Sequence, residues 1–246
     1  MNAKHLPSIL LVAAFTVVTP VLAGGDELVE QQALFDMSHY HDIGWSAFRR
    51  GEYELAEFRF SKAIESISPY QKNHLGVTAR SYHDLARVLC AQKKFAQAEP
   101  LAKWVIEARE HDPRTRDDVL FDAVYLLAVI ERELQKDAES VPLFTRAMKI
   151  EEKNVGAGSP RLALTIKELA DAEARAGDLA LADSHYLRAI RIHENANPDS
   201  ADLAVALDAR AQVLDRLGRG QEARAAEARA AAVRENVAKL ARRSVR

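Results

Sequence analysis

The chain has a single cysteine, Cys90, so no disulfide can form within it and its stability must come from packing. Glycine and proline are scarce, ten and eight residues in 246, too few for an all-β fold with its many tight turns. Neither sign of charge dominates, with 34 Lys and Arg against 36 Asp and Glu, which points to no polyanion and to no nucleic acid as partner. Catalytic signatures are missing as well: there is no glycine-rich phosphate loop, no HExxH and no GxSxG. Asp183-Ser184-His185 has the letters of a triad, but consecutive helical residues point about 100° apart and cannot converge. His83 and Cys90 lie seven apart on one helix face, about 10 Å along the axis, too far for a nucleophile and its base. The expectation is a protein that is not an enzyme and uses no cofactor.

Long apolar runs are also lacking, with one exception. Lys4 and His5 precede an apolar stretch from Leu6 to Val18, Thr19-Pro20 breaks it, and Val21-Leu22-Ala23 ends in small residues before Gly24-Gly25. A short basic start, a short apolar centre and a small-x-Ala end mark a cleaved export signal. The stretch is short for a membrane span and is bracketed by Pro7 and Pro20. The expectation is cleavage between Ala23 and Gly24, a periplasmic or secreted mature chain, and no stable membrane insertion afterwards.

What the sequence has in abundance is alanine, leucine, glutamate and arginine, which favour helix, and they recur with a period. Tyr53, Ala56, Phe60, Ala63 and Ile64 are followed 42 residues later by Phe95, Ala98, Ala102, Val105 and Ile106. Further steps reach Asp137, Ser140, Phe144, Ala147 and Met148, then Leu179, Ala182, Tyr186, Ala189 and Ile190. A last step of 41 reaches Gly220, Ala223, Glu227, Ala230 and Ala231, where the large residues are gone. The preceding segments keep register: Tyr40, Tyr82, Val124, Ile166 and Leu207 share one position, and Gly44, Ala86, Ala128, Ala170 and Ala211 another. Apolar residues three and four apart form one face of a helix, and the small residue on that face lets a second helix approach. Each unit therefore reads as two antiparallel helices. Ser68-Pro69, Asp112-Pro113, Ser159-Pro160 and Asn197-Pro198 fall between units, each offering an N-cap residue followed by a proline suited to the first helical position.

Phe95-Ala-Gln-Ala-Glu-Pro-Leu101 and Gly158-Ser-Pro-Arg-Leu-Ala-Leu-Thr-Ile-Lys-Glu-Leu-Ala170 resemble the tetratricopeptide repeat, in the longer variety found in kinesin light chains. The resemblance runs from Met37 to Glu235. It implies an all-α, right-handed superhelical solenoid of antiparallel helix pairs with about five repeats. The units then run as a signal at 1–23, an N-terminal extension at 24–36, repeats at 37–78, 79–120, 121–162 and 163–203, and a degenerate fifth repeat with a capping helix at 204–246. Asp137 stands where the repeat has an aromatic, which marks the third unit as the loosest, and the fifth unit reads as a cap.

In this family the first helix of each unit lines the concave face, and that face binds proteins or peptides. Carried over, the groove residues are His41, His83, Tyr125 and Lys167 in one row and Trp45, Arg87 and Asp171 in the next, with Arg49 and Arg80 beside them. Arg49, Arg80 and Arg87 favour a negatively charged segment. His41 and His83 share a repeat position, but no carboxylate ladder completes a metal site, so none is expected. On the outer side Lys62, Trp104, Arg146 and Arg188 share a position; Trp104 either packs sideways or marks a convex contact. The last helix carries eight Lys or Arg against three Glu between Arg219 and Arg246, either a solvated face or a tail for peripheral contact with an anionic partner or lipid surface. The function these features point to is an exported scaffold or adaptor for a protein or peptide partner; the alternative is a chaperone-like binder of unfolded or secreted clients in the cell envelope.

Overall fold

A computed structural model of the chain describes residues 25–244, so the expected signal at residues 1–23 and its cleavage point lie outside the described residues. The described residues form ten α-helices and no strand: α1 (Gly25–Arg49), α2 (Tyr53–Ile67), α3 (Leu75–Ala91), α4 (Phe95–His111), α5 (Asp117–Glu133), α6 (Asp137–Val155), α7 (Pro160–Ala176), α8 (Leu179–Ala196), α9 (Ala201–Arg216) and α10 (Gly220–Ser244). They pack as consecutive hairpins, α1 on α2 through α9 on α10. The chain divides after Asp112 into two compact units, the first holding α1 to α4 and the second α5 to α10.

Every hairpin turns in the same way. At the position of Gly51 the backbone has positive φ in all five turns: Gly51 at 75°, Lys93 at 60°, Gln135 at 61°, Gly177 at 95° and Gly218 at 75°. The next amide then reaches back five residues to a carbonyl of the first helix, from Glu52 to Ala47 at 3.0 Å, from Lys94 to Leu89 at 2.8 Å and from Lys136 to Glu131 at 2.9 Å. Asp178 to Glu173 and Arg219 to Leu214 repeat it, both at 2.9 Å. This left-handed cap satisfies carbonyls at the helix end that would otherwise lack partners.

Only one of the four proline connectors starts a helix as its residues suggest. Ser159 precedes α7 in extended backbone and Pro160 takes the first helical position. Ser68-Pro69 forms a 3-10 turn, and α3 begins later at Leu75. After Asp112-Pro113 and Asn197-Pro198, α5 and α9 start at Asp117 and Ala201. A proline disfavours helical backbone in the residue before it, and Asp112 and Asn197 are extended, ending α4 and α8, whereas Ser68 stays helical and leads into the 3-10 turn; a short loop then intervenes before the next helix. Ser200, not Asn197, caps α9, its hydroxyl accepting from the Leu203 amide at 3.2 Å.

The periodic residues are the core. Phe60 and Phe144 are fully buried, as are Ala56, Ala63, Ala98, Ala147, Ala182 and Ala189. The small-residue row is buried too, and an added Cβ on Gly44 would come within 3.0–3.1 Å of the Phe60 ring. In the fifth hairpin only Ala223, Ala226, Ala230 and Val233 of α10 are buried, consistent with the loss of large residues there. Asp137, at the aromatic position, gains a partner instead: Arg175 Nε donates to its Oδ1 at 2.9 Å while Arg175 Nη2 donates to the Arg132 carbonyl at 3.1 Å. An ion pair thus ties the third hairpin's turn to the end of α7 where packing of a ring was absent.

The two side chains held at positive φ make the fold testable. A Cβ in left-handed backbone costs about 1–2 kcal/mol, partly offset by the greater freedom of glycine in the unfolded chain. Gln135→Gly is expected to raise stability by up to about 1 kcal/mol in urea unfolding, whereas Gly177→Ala lowers it.

Candidate functional site

In the first unit the predicted groove residues of α1 and α3 converge on an acid that the sequence reading overlooked. Asp84 of α3 is buried, and its Oδ2 accepts from Trp45 Nε1 at 3.1 Å and lies 2.7 Å from His41 Nε2. Arg87, one turn on, lays its guanidinium over the Trp45 ring at 4.8 Å from the centroid and over Phe48 at 5.7 Å. Its Nη1 stands 4.0 Å from Asp84 Oδ1. Trp45 also meets Phe60 edge-on at 6.0 Å, so the cluster is rooted in the core.

The consequences differ by residue. His41 is only 5% exposed, so it ties α1 to α3 and has no surface for a partner. Trp45 is half-buried, with its indole N–H already engaged. Arg49, Arg80 and Arg87 are exposed. His83 is half-buried beside the cluster; burial pushes its imidazole down to about 4, Asp84 opposes that, and Arg87 and Arg109 add to it. A signal for Asp84 was present in the sequence. It shares a repeat position with Glu168, two periods on, and each carboxylate accepts from the preceding first helix, Asp84 from Trp45 and Glu168 from Arg132.

Trp104, singled out for the outer face, packs sideways. Its ring lies 4.6 Å from that of Tyr82 in α3, and it borders a small hollow of about 210 Å³ with Leu75 and His111.

The second unit carries a larger concavity of about 530 Å³, open to solvent, on the side of α5, α7 and α9. Lys167 Nζ donates to Asp171 Oδ2 at 2.6 Å and to Glu168 Oε1 at 3.4 Å. Burial alone would lower the Lys167 ammonium, but these carboxylates hold it above its ordinary value. Tyr186, reaching in from α8, donates its hydroxyl to Asp171 Oδ1, and burial followed by that carboxylate raises the phenol. Arg132 meets Glu168, and Arg216 of α9 donates Nη1 to the Ala174 carbonyl at 2.8 Å while its side chain stays exposed. The predicted Lys167 and Asp171 are therefore brought together here. Arg132, Tyr186 and Arg216 were not singled out, because Tyr186 reads as a core residue and the arginines as solvated faces. Tyr125, also in this unit, is half-buried against Phe121 at 5.6 Å and Phe144 at 5.7 Å.

Paired first and second helices, identical caps and a 42-residue step define a helical-repeat protein. The family model described as Tetratricopeptide repeat matches residues 35–111, 121–195 and 162–236, and the chain belongs to that family. No curated protein matches the sequence. Among solved structures, a protein of Podosopora anserina with kinesin light chain nearly identical TPR-like repeats is similar at a TM-score of 0.71 and 17% identity, covering 81% of this chain and 95% of its own. BtubC (BKLC) from P. vanneervenii gives 0.69 and 18%, covering 85% and 91%. YrrB, a TPR protein with an unusual peptide-binding site, gives 0.60 and 16%, covering 90% and 98%. At such identities the likeness is one of fold.

His83 links the first cluster to pH. Its folded value lies below the ordinary 6.5, so as pH falls below that value the unfolded chain takes up a proton that the folded imidazole refuses. Stability contributed by the neutral ring is lost as pH falls from 6.5 toward about 4. The urea midpoint is expected to drop between pH 7 and pH 5, and by less in His83→Gln.

Proposed function

We propose that this chain is an exported, non-catalytic scaffold that holds a peptide segment of a protein partner against the first-helix faces of its repeats. The observation that carries this reading is the open concavity of the second unit, where Lys167, Asp171 and Tyr186 hold one another in place before any partner arrives. Groups fixed in advance lose little conformational entropy on binding. Arg216, anchored to a backbone carbonyl yet exposed, presents free donors to a peptide carbonyl or carboxylate. In the first unit Arg49, Arg80 and Arg87 offer further exposed cations. The peptide-binding site of YrrB, which shares this fold, supports the same use.

Export rests on residues 1–23: a basic start, an apolar centre and Val21-Leu22-Ala23. The mature protein then begins at Gly24. Intact-mass measurement of the chain from its own cells checks this, and a species retaining Met1 in the membrane fraction would refute it.

The groove is tested by site-specific photo-crosslinking. Gln212 lines the concavity and is exposed, while Arg191 is exposed on the second helix of the fourth hairpin. A crosslinker at position 212 is expected to capture one defined segment of a partner, and one at 191 is not. With that segment as a synthetic peptide, Arg216→Ala is expected to weaken binding about 30-fold, as loss of an anchor of about 2 kcal/mol requires. Capture from position 191 alone would move the site to the outer face.

A further inference from the structure

Within each unit, successive hairpins join by one rule: the second helix of one packs on the first helix of the next, α2 on α3, α6 on α7 and α8 on α9. Ala172 of α7 is thereby buried with Phe144 and Met148 of α6, and Ala206 of α9 with Ile190 of α8. The equivalents in α1 are Ser46 and His39, and no described hairpin precedes them; His39 is exposed. Phe35 and Leu28 continue the same stripe toward the start of α1, each 67% exposed. At the other end, no described hairpin follows α10, whose Arg224, at the repeat position of Asp183, is exposed.

The two helices carry opposite net charge, although Glu30 is already paired with His74, Arg229 with Glu194 and Arg234 with Asp208 within the chain. Through Phe48, α1 has Asp26, Glu27, Glu30, Asp36 and Asp42 and no Lys or Arg. In α10, Arg224, Arg229, Arg234, Lys239 and Arg242 outnumber Glu222, Glu227 and Glu235. Two of the three joints, α2 on α3 and α8 on α9, also contain an ion pair at equivalent positions. An acid early in the second helix meets a base in the following hairpin's turn, Glu57 with Lys94 at 2.8 Å and Asp183 with Arg219 at 2.5 Å. At the ends of the array the same two positions have their charges exchanged: the base is Arg224 in α10, and the acid is Glu52 in the first turn. Neither end matches an internal joint, but each matches the other.

Length agrees with charge. Among the described residues α1 and α10 each run for 25, against 15 to 19 in the other helices. In an antiparallel joint the end of a second helix lies beside the start of the next first helix. The extra residues of α10, with Lys239 and Arg242, would therefore meet the extra residues of α1, with Glu27 and Leu28. Each helix is about 37 Å long at 1.5 Å per residue, enough for a continuous contact.

We propose that the chain binds a second copy of itself head to tail, α10 of one copy seating on α1 of the next. Such a contact uses two different patches, so it builds a ring or an open chain of copies and not a two-fold dimer. The anionic partner of the basic last helix is the acidic first helix of another copy. This assembly does not depend on peptide capture.

The test is sedimentation velocity on the chain as its own cells make it, at low ionic strength and over a range of concentration. The mean mass is expected to rise with concentration and fall as salt is added. A head-blocked variant carries Leu28→Glu and Phe35→Glu; a tail-blocked variant carries Arg224→Glu and Arg242→Glu. All four residues are exposed, so an unchanged helical spectrum is expected. Each variant alone should be monomeric, and an equal mixture should give a dimer of one of each and nothing larger. A wild-type chain that stays monomeric overturns the proposal. A tail-blocked variant that still dimerises overturns it in favour of α1 on α1, and a mixture that stays monomeric overturns it outright. Monomers that sediment with phosphatidylglycerol vesicles, and lose this in the tail-blocked variant, would assign α10 to a membrane surface.

Discussion

The structure depends on how closely two helices can cross within each hairpin. Gly44, Ala86, Ala128, Ala170 and Ala211 stand at that crossing, and the Phe60 ring lies where a Cβ on Gly44 would need to be. A small residue on the first helix lets the second helix approach, and the large residues beside it fill the remaining space at the density of a protein interior. Because the crossing recurs every 42 residues, its consequences recur as well. One left-handed turn geometry serves all five hairpins, even where Lys93 and Gln135 must adopt it without the freedom of glycine.

Close apolar crossings leave the polar groups to the joints between neighbouring hairpins. Asp84 gathers His41 and Trp45 from the preceding first helix, and Glu168 gathers Arg132. Glu57 and Asp183 reach forward to Lys94 and Arg219. A buried carboxylate is tolerated only with such partners, so the same residues that join hairpins also fix the side chains facing the groove. Arg87 is held over Trp45, and Lys167 between Asp171 and Glu168. In each unit the candidate binding surface is therefore a by-product of how the repeats are joined, with Arg49 and Arg80 left exposed in the first and Arg216 in the second.

Much of this was legible in the sequence, for a physical reason. Helix faces are read by a period of three and four residues and repeats by a period of 42, and both signals depend on residues that are near in the chain or at fixed separation. The antiparallel pairs, the buried alanines and Phe60 and Phe144 followed from that. The connectors were less legible, because proline announces the end of a helix more strongly than the start of the next. The site was least legible: Trp45 and Arg87 were placed in one row by spacing alone, but spacing could not show that the indole is turned onto Asp84.

By itself the sequence determined the helical class, the hairpin unit, the small-residue crossing and the opposite charges of the first and last helices, since each is written in composition or periodicity. Only the tertiary structure decided which charges are committed and which are free. It buried His41 on Asp84, gave Asp137 a partner in Arg175, turned Trp104 onto Tyr82 and left Phe35 and Arg224 exposed. Those outcomes depend on contacts between residues tens of positions apart, where a rotation of one side chain about its own bonds decides between a partner and solvent.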